Sequence, residues 1–509
     1  MRTGTWLNNG AGGPLVTAHR GDSEVLRENT VVAIKSAIEK GADIVEIDIR
    51  SSFDGHLIVL HDRSLERLWG YPKSADELTL QEIESLGFAE YRIPALSTVL
   101  DQFINSEAEL MIDMDSAVHA LAALTMVTKS ALPTERVIWC GALEAMKIIR
   151  DHSAEARVWL PWNEVGPFDQ ELIELIRPEF INSHYSYWNA EKVASAHALG
   201  LKTSAWTIDD APTMRWARAI GIDSITSNKM TLLQNVLGED RDVDPLDVDR
   251  AFDLATSIGK WAIMVCQMMN PGEIKTKVNP ADLVTEVDLF IEAHLREMIS
   301  ANFPTHNIVG EEFGGEYQES IPTWYIDPVD GTTNFANRTP WSSLSLCLAL
   351  GRVPLVATTI DPWRNILFQA VKDRGALING RKLELPVAPA AENPLAGRVV
   401  LTELAGSQPW SGMHEFLAGL HENFCTMRIM GAGTLTLTAV SANYGVGAVI
   451  HQFSPIDHLA AALIAREVGC VVLNSSGEED LFPQSGGLMI VQPHAREALY
   501  KIWQPSNNS

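Results

Sequence analysis

Between residues 15 and 230, short apolar runs alternate with stretches whose apolar residues recur every three or four positions. That alternation predicts a parallel α/β domain. Its candidate strands end near His19, Asp48, Leu60, Asp113, Cys140, Leu160, Ser183, Thr207 and Thr226. A closed barrel of this class takes about eight strands, so one of these is expected to lie outside it. Thr30 to Lys40 carries Ala33, Ile34, Ala37 and Ile38 on one helical face, with Gly41 as its C-cap.

A second domain is expected after Leu237–Arg250, which reads LGEDRDVDPLDVDR and has the composition of an exposed joint. The predicted boundaries are 1–237, an acidic linker 238–248, and 249–509. Ala251, Leu254, Ala255, Ile258, Ala262 and Val265 recur at helical spacing, with Asp247 or Asp249 as the cap. Met264, Met268 and Met269 are expected in the core of that helix. Asp288 opens another helix with Ile291, Leu295 and Met298 on one side, and Asn307-Ile308-Val309-Gly310 leads into Glu311-Glu312. Trp324-Tyr325-Ile326 reads as a buried strand, and Pro328 and Gly331 predict a sharp turn at its end.

Composition narrows the functions open to the chain. With 509 residues, 46% hydrophobic and 20% charged, it is an ordinary globular chain of several domains. A net charge of −26 argues against a nucleic-acid partner. Small phosphorylated substrates stay open, because bound cations reverse the local sign. Cys140, Cys266, Cys347, Cys425 and Cys470 are scattered and odd in number, which predicts free thiols in a reducing compartment. Met1 to Gly13 lacks the apolar core of a signal peptide, and the best apolar run, Trp341 to Leu350, stops at Gly351-Arg352. The expectation is a soluble, cytoplasmic protein with no membrane span.

Polar residues then fall where a barrel keeps its chemistry, at C-terminal strand ends. His19-Arg20-Gly21 follows one run and His61-Asp62 another. Glu46 and Asp48 are two apart, as are Asp113 and Asp115, so each pair shares a strand face. Burying so many acids around one mouth favours a metal ion, and two histidines can serve as general acid and base on a phosphodiester.

His19-Arg20-Gly21, Glu28-Asn29-Thr30, Glu46-Ile47-Asp48, His61-Asp62, Ile93-Pro94-Ala95-Leu96 and Ala205-Trp206-Thr207-Ile208 together resemble the glycerophosphodiester phosphodiesterase family over about residues 15–237. The resemblance implies a (β/α)8 TIM-type barrel. It implies His19 and His61 as the catalytic pair, Arg20 at the phosphate, and Mg²⁺ or Ca²⁺ on Glu46, Asp48 and Asp113. The implied reaction cuts a glycerophosphodiester to glycerol 3-phosphate and an alcohol. The sequence departs from the family at Arg27, where proline is usual, at Asp113, where glutamate is commoner, and at Asp115, where lysine is common. An anion facing the phosphate should weaken diester binding unless a cation compensates.

In the second half, Asp327 and Asp330 flank Pro328-Val329 and run into Gly331-Thr332-Thr333-Asn334. Carboxylates beside a turn with free amides and hydroxyls suit hard cations such as Mg²⁺. Lys277, Asp288, Glu311, Asp327, Asp330 and Asp457, with that turn, resemble the inositol monophosphatase family over about residues 247–500. The resemblance implies an αβαβα layered sandwich. It places two or three Mg²⁺ ions on Glu311, Asp327, Asp330, Asp457 and the Val329 carbonyl. Glu311 and the Thr332–Asp288 pair would activate water, while Lys277, Gly331 and Thr333 would contact substrate. A homodimer through this domain is implied as well. Ile450 stands where inositol-selective members carry an acid, Ile456 replaces the usual tryptophan, and His458-Leu459 replaces small residues. A site without its hydrogen-bonding partner should not select the polyol.

The leading expectation is a bifunctional α/β hydrolase that cleaves a glycerophosphodiester and dephosphorylates a monoester such as inositol phosphate or glycerol phosphate. One alternative keeps the phosphatase and makes the barrel a degenerate binding or oligomerising module, on the strength of Arg27 and Asp115. A non-enzymatic binder of phosphorylated metabolites is the other.

Overall fold

Eight parallel strands close on themselves in the first unit of the chain. They are β1 (Leu15–His19), β2 (Ile44–Ser51), β4 (Glu109–Met114), β5 (Val137–Gly141), β6 (Arg157–Pro161), β7 (Phe180–His184), β8 (Lys202–Trp206) and β9 (Ser224–Ser227), and β1 pairs with both β2 and β9. The computed structural model describes residues 13–164, 166–239, 244–276, 283–387, 391–404 and 408–507. The chain divides into two compact units, Met1–Arg241 and Asp242–Ser509.

The ninth candidate strand is β3 (Leu57–Val59), which ends just before His61. It runs antiparallel to β2, pairing Ile49 with Val59 and Ser51 with Leu57. β2 outruns the barrel rim and its overhang takes β3 as a hairpin partner, so His61 does not follow a barrel strand as its motif suggested. A three-residue apolar run carries no sign of which way it will pair. Leu15, Ile44, Met111, Ile138, Trp159 and Phe180 fill the barrel interior, with the rings of Trp159 and Phe180 stacked at 3.9 Å. The helix Val31–Glu39 is capped by Thr30, whose side chain accepts from the Ala33 amide.

The second unit is layered. Its larger sheet runs β12 (Asn307–Gly310), β13 (Thr323–Asp330), β14 (Ser343–Leu350), β15 (Val353–Asp361), β16 (Ile366–Val371), β17 (Gly375–Ile378) and β18 (Arg381–Lys382). A short hairpin, β10 (Ile274–Thr276) with β11 (Leu283–Thr285), precedes it. The smaller sheet has the order β20-β19-β21-β23-β22, from β19 (Val399–Thr402), β20 (Thr426–Ile429), β21 (Gly447–Ile450), β22 (Val471–Asn474) and β23 (Leu488–Val491).

Helices Val248–Met268 and Glu286–Asn302 cover one face of the larger sheet, and Gly433–Ser441 and Pro455–Val468 lie between the sheets. Helices Met413–Glu422 and Arg496–Asn507 cover the far side. The layers are held by apolar packing. Leu459 and Leu463 meet Cys347 and Phe368, while Ala461 and Ala465 meet Leu401 and Ile490. Asp247 caps the first helix, accepting from the Arg250 amide at 3.0 Å. The methionines of that helix differ from expectation. Met268 is exposed and Met264 and Met269 only half-buried, because Met264 and Met268, four apart, lie off the face that buries Ile258, Ala262, Val265 and Cys266. β13 also differs: it continues through Asp327 and Pro328 to Asp330, with an irregular register between the two aspartates. A bulge takes the place of the expected end, and the turn falls at Gly331, φ +85°.

All five cysteines are free and buried. Among the described residues, no helix is long and apolar enough to cross a membrane.

Candidate active sites

At the C-terminal mouth of the barrel lies a cavity of about 430 Å³ lined by His19, Arg20, Glu46, Asp48, His61 and Asp113, among others. Strand register assembles it. His19 on β1 sits beside Glu46 on β2, and Asp48 beside Asp113 on β4. Gly21 takes φ +82°, and a Cβ there would meet the Ala33 backbone at 2.7 Å, so only glycine lets the His19-Arg20 turn close on the following helix. Arg20 is the cation of the acid cluster. Its amide donates to Glu46 Oε2 at 2.9 Å, and its guanidinium reaches Asp48 at 3.0 Å and Glu28 at 3.1 Å. Asn29 Nδ2 donates to Asp48 at 2.8 Å.

Three acids against one guanidinium leave excess negative charge. Burial, then Asp48 and Asp113, pushes the Glu46 carboxyl well above its usual range. Burial, then Asp48, pushes Asp113 up to about 6.

Both histidines have a defined tautomer. Asn228 Nδ2 donates to Asp209 Oδ2 at 2.7 Å, which turns its Oδ1 toward His19 Nδ1, also at 2.7 Å. His19 therefore donates from Nδ1 and keeps its lone pair on Nε2. Burial, reinforced by Arg20, lowers its pKa and keeps the ring neutral. His61 Nδ1 lies 2.7 Å from Asp62, whose carboxyl Arg67 holds down at about 2. An ionised carboxylate only accepts, so His61 also donates from Nδ1.

Two of the three departures from the family pattern, Asp115 and Arg27, acquire partners. Asp115 pairs with Arg50 at 2.7 Å, and Arg50 also donates to the His61 carbonyl at 2.6 Å. Arg27 lays its guanidinium 4.6 Å over the Trp69 ring. Asn228, Asp209, Arg50 and Arg67 escaped the sequence reading. Asn228 and Asp209 follow strands β9 and β8, so the strand-end rule that found His19 could have found them.

In the second unit the turn after β13 meets the start of helix Glu286–Asn302. Thr332 Oγ1 lies 3.1 Å from Asp288 Oδ1 and 3.0 Å from the Val329 carbonyl. Asp288 is fully buried in a capping box with Thr285. Burial raises its carboxyl against the pull of Thr285 and Thr332. Burial, then Glu311, Asp330 and Asp457, pushes Asp327 well up. Asp330 is raised by burial and Asp457, and it accepts the Gly433 and Thr434 amides at 3.1 and 2.6 Å. Thr434 Oγ1 donates to the Asp457 carbonyl at 2.7 Å. Two unexpected carboxylates support this site. Glu292 accepts the Glu312 amide at 2.7 Å, directly after Glu311, and Glu403 accepts from Thr436 and from the Gly431 amide. Lys277 lies outside the described residues.

Ile450 is buried in the apolar core between helix and sheet, so it has no polar group to offer a substrate. Ile456 packs beside Leu459, and His458 is buried with Nδ1 accepting the Ser454 amide at 2.9 Å.

Among the described residues, no three acids, histidines or cysteines stand close enough to hold a metal ion as they are placed. The donor chemistry does fit one. Each site gathers several mutually repelling carboxylates, with Glu46 and Asp327 buried among them, and oxygen donors of that kind suit a hard cation.

The two folds and their sites define a hydrolase of phosphate esters. Residues 245–507, just over half the chain, match the model of the inositol monophosphatase family, and residues 19–232 match that of the glycerophosphoryl diester phosphodiesterase family. The chain belongs to the inositol monophosphatase family, with a phosphodiesterase-family domain fused ahead of it. Human inositol monophosphatase 1 is 29% identical over 244 residues, covering 45% of this chain and 84% of that protein. The Nus factor SuhB of Vibrio cholerae is 31% identical over 237 residues, covering 46% and 87%. Among solved structures, the Thermotoga maritima IMPase aligns with TM-score 0.46 and 23% identity over 51% of this chain and 98% of its own. A candidate glycerophosphodiester phosphodiesterase from Galdieria sulphuraria aligns with TM-score 0.41 and 20% identity over 44% and 98%. Both families hydrolyse phosphate esters, one diesters and the other monoesters, and inositol monophosphatase family enzymes use Mg²⁺.

Proposed function

We propose that the chain is bifunctional: the barrel cleaves a glycerophosphodiester to glycerol 3-phosphate and an alcohol, and the second unit hydrolyses a phosphomonoester. The observation that carries the barrel half is the convergence of His19, His61, Arg20 and three acids on one cavity. His19, neutral and with its Nε2 lone pair available, takes the proton of the attacking oxygen. His61, with the Asp62 carboxylate behind it, carries a proton to the departing alkoxide. Arg20 holds a phosphate oxygen. Glu46, Asp48 and Asp113 would hold Mg²⁺ or Ca²⁺. The Arg50–Asp115 pair removes the repulsion that favoured a degenerate barrel.

In the second unit, Glu311, Asp327, Asp330, Asp457 and the Val329 carbonyl would hold Mg²⁺, which when bound lowers the pKa of water and screens the phosphate dianion. Glu311 and the Asp288–Thr332 pair orient that water and accept its proton. The Gly331 and Thr332 amides and Thr333 receive phosphate oxygens. Ile450 removes the carboxylate that would select inositol, which favours a smaller alcohol. The glycerol 3-phosphate released by the first unit is one such monoester. A homodimer through the second unit and a cytoplasmic location rest on family resemblance and on cysteine usage.

The test is phosphate release by the purified chain from glycerophosphodiesters and from monoesters, with and without Mg²⁺, beside His19→Ala and Asp330→Asn. His19→Ala should abolish only diester cleavage and Asp330→Asn only monoester hydrolysis. Unchanged diester cleavage in the first variant, or unchanged monoester hydrolysis in the second, refutes the corresponding site.

A further inference from the structure

Arg67 lies outside every motif above and does not line the barrel cavity. It nevertheless touches both halves of that site. Its Nε lies 2.5 Å from Asp62 Oδ2, and the other oxygen of Asp62 meets His61 Nδ1 at 2.7 Å. Its Nη2 lies 2.7 Å from Glu28 Oε1, the oxygen that also meets Arg20 Nη1 at 3.1 Å. Arg20 then reaches Asp48 at 3.0 Å. From His61 the contacts thus run through Asp62, Arg67, Glu28 and Arg20 to Asp48, with the charges from Asp62 onward alternating in sign.

We propose that Arg67 is the positioning residue of the barrel site, setting the His61 imidazole and the Arg20 guanidinium toward one phosphate through two carboxylates. The proposal rests on the diesterase reading of that cavity. Three observations support it. First, Arg67 sits on the short helix Glu66–Trp69, which is anchored: Trp69 packs beneath Arg27 and against the cluster of Leu60, Leu65 and Ile83. Second, the side chain of His61 is 44% exposed, so packing alone does not fix its ring, and its Nδ1 is held by Asp62. Third, the carboxylates respond to Arg67. Burial pushes Glu28 up, and Arg67 followed by Arg20 outweighs it.

An isolated pair with an arginine half exposed to water contributes little stability. A planar fork that engages two carboxylates at once constrains their directions instead, which a lysine's single ammonium does not. Arg67 therefore acts on orientation, and its loss should appear in turnover more than in unfolding.

The experiment uses the full chain with Arg67→Ala and Arg67→Lys, and Arg63→Ala as a control on a neighbouring exposed arginine paired with Asp76. Steady-state cleavage of a glycerophosphodiester is read as kcat and KM. Histidine-selective ¹⁵N spectra, with the His61 signal assigned by its loss in His61→Asn, read the imidazole tautomer. Arg67→Ala should lower kcat roughly 10- to 100-fold and raise KM, as loss of a residue that orients a site residue does. It should also move the His61 signal from the Nδ1–H form toward a mixture. Arg67→Lys should not rescue it, and Arg63→Ala should match wild type. Asp62→Asn should affect mainly kcat and Glu28→Gln mainly KM, while Arg67→Ala affects both. Wild-type kcat, KM and ¹⁵N signals in Arg67→Ala overturn the proposal. So does a loss of turnover that merely tracks a lowered Tm with the ¹⁵N signal unmoved. If wild type cleaves no diester while the His61 signal still shifts in Arg67→Ala, the positioning stands and the diesterase reading falls.

Discussion

Asn228 holds the imidazole of His19, with Oδ1 2.7 Å from Nδ1, and is itself held by Asp209 through its side chain and its backbone amide. That relationship fixes which nitrogen of His19 can act as a base. Asn228→Ala should therefore lower kcat for the diester roughly 10- to 100-fold with little change in KM. Steady-state kinetics on the two substrates separately provide the check. Monoester hydrolysis should be unchanged.

Glu292 is fully buried and accepts the amides of Glu312 and Phe313 at 2.7 and 3.2 Å, under the turn that carries Glu311. Glu292→Ala leaves both amides and Arg296 without that acceptor. We expect the second unit to lose on the order of 3 kcal/mol, read from urea unfolding. Phosphatase activity should fall while diester cleavage persists. Gly310→Ala tests the same contact from the other side, because its Cβ would fall 2.0 Å from Glu292 Oε1.

Binding of a divalent cation should stabilise the second unit by relieving repulsion among Asp327, Glu311, Asp330 and Asp457. At 100 times Kd the gain is about 2.7 kcal/mol. Thermal unfolding with increasing Mg²⁺ should show a rising Tm, and chelation with EDTA should reverse it along with monoester hydrolysis. Asp330→Asn should flatten the rise.

His294 stacks on Trp261 at 3.8 Å, and burial holds its pKa at about 3. In the unfolded chain it titrates near its ordinary value of about 6.5. Between those values the unfolded state binds the extra proton. Stability is thus full above about pH 6.5 and declines as pH falls toward about 3, by at most about 1.4 kcal/mol per pH unit for this group. Urea midpoints at several pH values should show that decline in the second unit. A smaller slope is expected in His294→Phe, and an identical slope would contradict the assignment.

Much of this protein is written in local pattern. Alternating apolar runs and helical stripes are enough to predict the barrel, since each strand and helix must bury its own apolar face. Glu46 and Asp48 two apart on a strand necessarily share a face, and Asp327 to Asn334 carries its turn chemistry within a few residues. The acids that gather at each site were accordingly legible.

What depends on distant partners was not. That β3 pairs antiparallel with the overhang of β2 follows from how far β2 outruns the rim, which no short run encodes. Met268 is as apolar as its neighbours, yet it falls on the exposed side of its helix while Val265 and Cys266 are buried. Asp115 looked like an uncompensated anion because Arg50, on another strand, became its partner only on folding. Arg67 and Asn228 matter through residues 39 and 209 positions away in sequence, at Glu28 and His19. The sequence by itself determined most of the elements and the site acids, because those follow from local periodicity and spacing, and its motifs pointed to the families by resemblance. Tertiary structure alone decided which nitrogen His19 presents and which charge neutralises which, because such pairings are made across strands and loops that only the closed fold brings together.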